Sequence, residues 1–263
     1  MIEFRNITKA FYDSVVLKSV SFGISRGETK IILGASGSGK STILKLILGL
    51  IQPDDGEILI EGEDITQMSE RDLVHVRRRI GMVFQEGALF DSLSVRENVG
   101  YRLFEESHMS DEEIEVAVLR LLGFVGLEEA IDKMPSELSG GMKRRVGIAR
   151  ALVGSPKVIL YDEPTAGLDP ITKRTIVDLV IKLRDLEGVT SVFVTHDLQA
   201  AQTIASEYAV AEDNGQIRFA QAGCDFCVAN IHFIMLQEGS VCFQGSYPEL
   251  VECKDPYVKT FMA

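Results

Sequence analysis

The chain has 263 residues, of which 46% are hydrophobic and 25% charged, an ordinary globular balance that suits one large domain or two small ones. Its net charge of −12 argues against a broad nucleic-acid footprint, although Lys143-Arg144-Arg145 leaves a local basic patch open. No apolar run reaches membrane-spanning length, and the N-terminus lacks the layout of a signal peptide, so we expect a cytoplasmic chain.

The first third of the chain predicts short β-strands around a glycine-rich loop. Short strands are expected at 15–17, 20–22 and 31–33, and a helix over 41–50. Between them lies Gly34-Ala35-Ser36-Gly37-Ser38-Gly39-Lys40-Ser41-Thr42, which contains the pattern G-x-x-x-x-G-K-[ST]. Backbone N–H groups of such a loop bind phosphate oxygens, Lys40 adds a cation, and Ser41 offers a hydroxyl to Mg²⁺. The pattern therefore predicts a nucleoside triphosphate site.

The middle of the chain changes from mixed to helical. A capping box at Ser69 predicts a helix to about Arg79, followed by a buried strand at 80–84 that ends at Gln85. Residues 86–152 are mostly helical in pattern, and Ser110 opens a helix that stops near Gly123. We predict one domain over 1–263, in which a helical subdomain (86–152) is inserted into an α/β core (1–85 and 153–263).

Two later strands end in polar residues. A strand at 158–161 leads to Asp162 and Glu163, and a strand at 191–195 ends at His196, with a helix from Pro170 to about 186 between them. Short β-branched strands separated by helices predict a mainly parallel sheet covered on both faces. A carboxylate at such a strand end can hold Mg²⁺. Alternatively, Glu163 is a structural acid and His196 an ordinary polar residue.

A second motif, Leu138-Ser139-Gly140-Gly141-Met142, precedes the strand that ends at Asp162. This combination resembles the ABC (ATP-binding cassette) family. The resemblance implies a P-loop NTPase fold of the α/β class, with an N-terminal antiparallel β portion, and a homodimer that binds ATP and Mg²⁺. Ser139, Gly140 and Gly141 precede a predicted helix, whose N-terminus attracts a γ-phosphate. In the family they act on the ATP held by the loop of the other copy.

The same resemblance implies roles for single residues. Glu163 polarises the attacking water, Gln85 senses Mg²⁺ and water, and His196 contacts the γ-phosphate. Asp169 communicates across the dimer. Phe11 stacks on adenine, although it and the adjacent Tyr12 could instead be core residues. The catalytic set is then Lys40, Gln85, Glu163 and His196, and the metal set is Ser41, Gln85 and Asp162.

Three further segments indicate which subfamily the chain resembles: 84–95 (FQEGALFDSLSV), 134–142 (MPSELSGGM) and 255–261 (DPYVKTF). They are similar to the Mla/MCE-type phospholipid transport ATPases. This implies a subunit peripheral on the inner face of the cytoplasmic membrane, with an integral-membrane permease and MCE-domain and STAS-domain subunits. We expect the loop 87–95, with Leu89, Phe90 and Leu93, to contact the permease together with nearby residues of the helical subdomain. Alternatives are a soluble ABC-type ATPase of DNA repair or translation and a transport ATPase for another substrate, but the acidic charge and the lack of a coiled-coil insertion oppose the first.

One segment, 211–232, departs from the family pattern. Two pieces, at 213–219 and 237–243, each show a glycine turn followed by a strand, which predicts an extra peripheral hairpin that ATP hydrolysis does not need. Cys224 and Cys227 have the spacing of half a zinc site that His232 or Cys242 could complete. The preferred interpretation is instead two small, partly buried thiols on an added β element.

Overall fold

A computed structural model describes residues 1–106, 108–212, 215–222 and 230–262. The strands are β1 Ile2–Phe11, β2 Ser14–Ile24, β3 Thr29–Gly34, β4 Asp55–Ile60, β5 Glu63–Asp64, β6 Ile80–Val83, β7 Val158–Asp162, β8 Thr190–Thr195, β9 Glu207–Ala211, β10 Ile217–Gln221, β11 Ile231–Gln237 and β12 Ser240–Gly245. The helices are α1 Lys40–Ile47, α2 Glu70–Arg77, α3 Val95–Glu106, α4 Asp111–Phe124, α5 Gly140–Leu152, α6 Pro170–Glu187, α7 Leu198–Ser206, α8 Tyr247–Glu252 and α9 Pro256–Met262.

The core sheet has the strand order β12-β11-β3-β8-β7-β6. All neighbouring pairs are parallel except β11 and β12. Successive side chains of a strand point to opposite faces. In β3, Ile31 and Leu33 therefore join the hydrophobic cluster on one face, while Ile32 joins the cluster on the other. The predicted mainly parallel sheet, covered on both faces, is confirmed.

The N-terminal sheet is antiparallel, with the order β2-β1-β4-β5. Its first two strands are 10 and 11 residues long, so the prediction of short strands was wrong. The pairing of β1 with β2 shifts register at several points, and Asn6 and Ser19 there adopt positive φ angles. Such bulges interrupt the alternation of apolar and polar residues. One long strand therefore looks like several short ones in the sequence.

Helix boundaries follow the capping residues. Ser69 accepts a hydrogen bond from the backbone of the first turn of α2, and Ser110 forms a full capping box with Glu113 at the start of α4. Helix α1 ends at Ile47 rather than at 50, because Gly49 adopts a φ of +60° that no longer continues a helix. The segment predicted as a helical subdomain carries α3, α4 and α5.

Strands β9 and β10 form a separate two-stranded sheet beside α6. Glu207 pairs with Gln221, so the hairpin begins four residues before the predicted start at 211. The ring of Phe219 lies 5.7 Å from the Arg174 guanidinium and 5.9 Å from the Lys182 ammonium, which anchors the hairpin to α6.

Cys224 and Cys227 lie outside the described residues, as does the choice between two partly buried thiols and half a zinc site. Of their candidate partners, His232 Nδ1 lies 3.0 Å from a carboxylate oxygen of Glu28, and the Cys242 thiol donates to the Met235 carbonyl at 3.4 Å. Among the residues that the structure does describe, no helix is both long and apolar enough to cross a membrane.

Candidate active site

The glycine-rich loop joins the end of β3 to the start of α1. Gly39, which precedes the helix, has a φ of +102°, and a Cβ atom there would lie 2.7 Å from Leu17 Cδ2. Only glycine fits both constraints. No side chain caps α1, so the first-turn N–H groups have no side-chain acceptor. Uncapped N–H groups at a helix N-terminus make a binding site for an anion.

The ammonium group of Lys40 is enclosed by its own loop. Its Nζ donates to the carbonyl oxygens of Gly34 at 2.8 Å and Ala35 at 3.0 Å, and it lies 3.5 Å from Glu163 Oε1. Only 6% of the side chain is exposed. A positive charge is thus fixed where the loop would hold phosphate groups.

Ser41 at the start of α1 and Asp162 at the end of β7 are hydrogen-bonded to each other. The Ser41 hydroxyl donates to Asp162 Oδ1 at 2.9 Å. Burial at the end of β7 raises the pKa of the Asp162 carboxyl, and the hydrogen bond from Ser41 opposes that shift. A hydroxyl beside a partly desolvated carboxylate is the oxygen donor set that a hard divalent cation prefers. These two residues therefore fit Mg²⁺.

Glu163 directly follows the last residue of β7. Strands β7 and β8 are parallel neighbours, so their carboxyl ends share one edge of the sheet. The carboxylate oxygen Oε2 of Glu163 accepts a hydrogen bond from the His196 backbone at 3.2 Å and lies 2.8 Å from His196 Nδ1. The Thr195 hydroxyl donates to the same oxygen at 3.4 Å. Glu163 adopts a φ of +48°, which is uncommon for a residue with a Cβ atom. Backbone strain of this kind concentrates at functional sites.

These side chains surround an open concavity of about 690 Å³. Most predicted site residues line it, namely Phe11, Ala35, Ser36, Gly37, Gly39, Lys40, Ser41, Thr42, Gln85, Glu163 and His196. Three predicted site residues are not among those that line the concavity: Gly34, Ser38 and Asp162. Asp162 is hydrogen-bonded to Ser41, which does line it.

Two further residues, Val16 and Phe261, line the concavity and were not predicted. Phe261 comes from the C-terminal helix α9, which the loop also contacts. The Ala35 N–H donates to the Tyr257 hydroxyl at 3.4 Å, and that hydroxyl donates to the Leu236 carbonyl at the same distance. No spacing in the sequence indicates that the chain end returns to the loop.

Ser139, Gly140 and Gly141 are not among the residues that line the concavity of their own chain. Ser139 caps α5 by accepting a hydrogen bond from the Met142 N–H at 3.3 Å. A Cβ atom at Gly141 would overlap the methyl group of Thr172 at the start of α6, so glycine lets the two helices approach closely.

Asp169 also lies outside the lining of this concavity. Its carboxylate caps α6 by accepting hydrogen bonds from Ile171 N at 3.1 Å and Thr172 N at 3.0 Å. The hydroxyl of Thr172 donates to the other carboxylate oxygen at 2.6 Å. These hydrogen bonds lower the pKa of Asp169.

Comparisons with known proteins agree with this geometry. A family profile described as "ABC transporter" matches residues 17–166. The chain is 41% identical to Protein TRIGALACTOSYLDIACYLGLYCEROL 3, chloroplastic, of Arabidopsis thaliana, across 99% of this chain and 73% of that protein. It is 42% identical to the intermembrane phospholipid transport system ATP-binding protein MlaF of Haemophilus influenzae, across 81% of each chain.

A solved dimeric ATP-binding cassette in a post-hydrolysis state, bound to ADP and Pi, has a similar structure. The TM-score is 0.79 at 33% identity, covering 94% of this chain and 98% of that one. The phosphate loop, the acidic strand ends and these relatives together lead to one conclusion: the chain belongs to the ABC transporter family and is an ATP-binding ATPase.

Proposed function

We propose that two copies of this chain hydrolyse Mg²⁺-bound ATP at two shared sites and thereby drive phospholipid transport by a membrane permease. The observation that carries the hydrolytic part is the position of the Glu163 carboxylate. It lies 3.5 Å from the Lys40 ammonium and 2.8 Å from the imidazole of His196, at the edge of the loop that would hold phosphates. A carboxylate held there can orient a water molecule and accept its proton.

Each residue of the site has a proposed task. Lys40 binds the β- and γ-phosphates, and the uncapped N–H groups of the loop bind their oxygens. His196 holds the carboxylate of Glu163 and contacts the γ-phosphate. Ser41, Asp162 and Gln85 would hold Mg²⁺, which neutralises charge on the phosphates when it is bound. Phe11 stacks on the adenine ring.

The site is completed by a second copy. Ser139, Gly140 and Gly141 lie outside the lining of the concavity of their own chain, although a helix N-terminus that exposes Ser139 and Gly140 is suited to a phosphate. The solved neighbour is dimeric and holds ADP and Pi. We infer that these three residues close over the ATP of the partner copy, and that Asp169 lies at the same interface.

The proposed cargo and partners follow from the relatives' names and from one surface. MlaF is named as part of an intermembrane phospholipid transport system. A groove of about 570 Å³ is lined by apolar side chains, among them Met82, Phe84, Phe90 and Tyr101, and by four arginines and one glutamate; Phe84 directly precedes Gln85 in the chain. We infer that this groove receives the permease. Further MCE-domain and STAS-domain subunits, and a position on the inner face of the cytoplasmic membrane, belong to the same proposal.

Of the three apolar side chains named for the predicted docking loop, Phe90 alone is among the residues that line this groove. Phe90 is 47% exposed, its ring lies 5.0 Å from the tilted ring of Tyr101, and it lines the groove. Leu89 is half-buried and packs against the core cluster, and Leu93 is half-buried. We infer that the permease surface uses Phe90 of this loop together with side chains from neighbouring elements.

Mixing two inactive variants tests the shared site. Lys40→Ala removes the phosphate cation of one copy, and Ser139→Arg blocks the helix N-terminus that the other copy contributes. Each variant alone should bind ATP poorly as a dimer, whereas the mixed dimer should retain one intact site and bind one ATP. A mixture that binds no more ATP than either variant alone would contradict the shared-site model.

Co-purification tests the transport assignment. Full-length chain carrying Glu163→Gln would be recovered from detergent-solubilised membranes, and its protein and lipid partners identified. An integral-membrane permease with bound phospholipid is the expected result. Recovery with ribosomes or nucleic acid, and no membrane protein, would instead support the alternative class of soluble ABC-type ATPases.

A further inference from the structure

Arg144 is a buried cation whose two hydrogen-bond acceptors come from different parts of the chain. Its side chain projects from α5 and the residue is 7% exposed. The Nε atom donates to the carbonyl of Gln85 at 2.5 Å, and a terminal guanidinium nitrogen donates to the carbonyl of Ala166. Burial lowers the pKa of Arg144, and the charge of Glu86 opposes that shift. Burying a guanidinium is costly unless its donors are satisfied, and main-chain carbonyls satisfy two of them here.

The two acceptors belong to segments that the proposed mechanism uses. Gln85 lines the concavity, and Ala166 lies between Glu163 and the helix-capping Asp169. Helix α5 itself begins at Gly140, one residue after Ser139. A single guanidinium thus connects the residue beside the cation site, the segment that leads to Asp169 and the helix that presents Ser-Gly-Gly.

The segment after Gln85 also contacts helix α5 through the backbone of Gly87 and Ala88. A Cβ atom at Gly87 would lie 2.7 Å from the carbonyl of Lys143, so the two chains are in close contact. Arg150 donates to the carbonyls of Gly87 at 2.9 Å and Ala88 at 2.8 Å. Movement of this segment would therefore move α5 with it.

We propose that Arg144 is a positioning residue that couples Gln85 and the 166–169 segment to the Ser-Gly-Gly end of α5, which the same copy presents to the ATP of its partner. The proposal rests on the shared-site function above and deepens it. Arg144 is not among the residues that line the concavity of its own chain. Its loss should therefore spare ATP binding by a single copy and impair the closing of two copies over ATP.

The neighbouring Arg145 is a matched control. It also lies on α5, and burial also lowers its pKa. Its guanidinium donates to the carbonyls of Val125 at 2.9 Å and Gly126 at 3.2 Å, at the end of α4. Arg145 therefore connects helices within the 86–152 segment and does not contact Gln85 or Ala166. A change there removes the same chemical group without touching the proposed coupling.

The experiment uses the full chain in a Glu163→Gln background, which should retain ATP-bound dimers. ATP affinity is measured on dilute monomer with a fluorescent ATP analogue, and dimer formation by light scattering against ATP concentration. Arg144→Gln should raise the ATP concentration for half-maximal dimerisation at least about tenfold, within the roughly 5–150-fold range of coupling between sites. The monomer affinity should stay within about threefold, as should both measurements for Arg145→Gln. Arg144→Lys keeps the charge but lacks the planar fork, so it should restore dimerisation only in part.

The outcomes separate the two proposals. If the Glu163→Gln background itself does not dimerise with ATP, the shared-site function fails and this proposal falls with it. If the background dimerises and Arg144→Gln dimerises equally well, only the coupling role is overturned. Equal loss in Arg145→Gln, or a parallel loss of monomer ATP affinity, would also overturn it. If Arg144→Gln lacks a native circular dichroism spectrum, Arg144→Lys decides: parent-like dimerisation refutes the proposal, and weakened dimerisation with parent-like ATP affinity supports it.

Discussion

Replacing Glu163 by glutamine tests the assigned base with the least change in shape. The amide keeps an oxygen that can accept from the backbone N–H of His196, which is 3.2 Å from the present carboxylate. It removes the negative charge 3.5 Å from Lys40, but that ammonium keeps its carbonyl partners at 2.8 and 3.0 Å. The loss of one ionic partner should therefore cost only about 1–2 kcal/mol of folding stability.

The kinetic effect should be much larger than the effect on stability. Removal of a positioned general base typically lowers a rate by about 10²–10⁴-fold, equivalent to roughly 3–5 kcal/mol of activation free energy. Steady-state phosphate release should fall by this factor for Glu163→Gln. ATP binding should persist, because Lys40, Ser41 and the loop N–H groups are unchanged. Size-exclusion chromatography with ATP should then show an accumulated dimer.

A surface carboxylate supplies the control for charge removal. Glu57 lies on β4 of the N-terminal sheet. Its side chain is 58% exposed and forms an ion pair with Arg5 at 3.5 Å. Glu57→Gln should leave phosphate release unchanged, since exposed ion pairs contribute little. Turnover by Glu163→Gln within about threefold of the parent would refute the assignment of Glu163 as the base, because even modest general-base catalysis exceeds that factor.

Two further substitutions test the proposed stacking of Phe11 on adenine and a buried ion pair. Phe11→Ala should weaken ATP binding in calorimetry by about 1–3 kcal/mol, the usual contribution of an aromatic ring stacked on a base. The adjacent Tyr12 is fully exposed, and an equal effect of Tyr12→Ala would contradict the role of Phe11. Glu28→Gln should lower the free energy of unfolding by about 3–5 kcal/mol, because it leaves the Lys30 ammonium, 2.6 Å from the carboxylate, buried without a negatively charged partner. Burial favours a raised pKa for Glu28, but hydrogen bonds from Lys30 and the Ser25 N–H outweigh it and lower the pKa. The stability difference in urea titrations should therefore be complete above the unfolded-state pKa of about 4.3 and shrink as pH falls through the lower folded value. A difference that does not change with pH would contradict this account.

The site residues that could be predicted from the sequence each belong to a short contiguous motif. The phosphate loop is one contiguous stretch, and Asp162 and His196 are recognisable because each ends a short apolar strand. In a parallel sheet such strand ends meet at one edge, so their approach follows from the pattern. The structure places Glu163 and His196 side by side for this reason.

Residues whose role depends on distant contacts could not be found this way. Arg144 belongs to a run of three basic residues, which favours an exposed basic patch, yet it is 7% exposed and bonded to carbonyls. Phe261 lines the concavity with Phe11, although the two come from opposite ends of the chain. No local periodicity encodes either contact. Both depend on how the helices and the N-terminal sheet pack around the core.

The proposed shared site could not be found from the contacts of one chain, because in that proposal a second copy completes it. Ser139 caps its helix and Gly141 packs on Thr172, so a purely structural role would account for both residues within one copy. What that role does not explain is Gly140, where a Cβ atom would find its nearest neighbour, Leu168 Cδ2, at 3.9 Å. That distance is an ordinary contact, so packing within the chain does not require glycine there. A backbone that must approach a phosphate closely does require it. In the proposed shared site, close approach of a phosphate supplies a reason for glycine at 140, so Gly140→Ala should impair ATP-dependent dimerisation while leaving the thermal stability of the monomer unchanged or slightly raised.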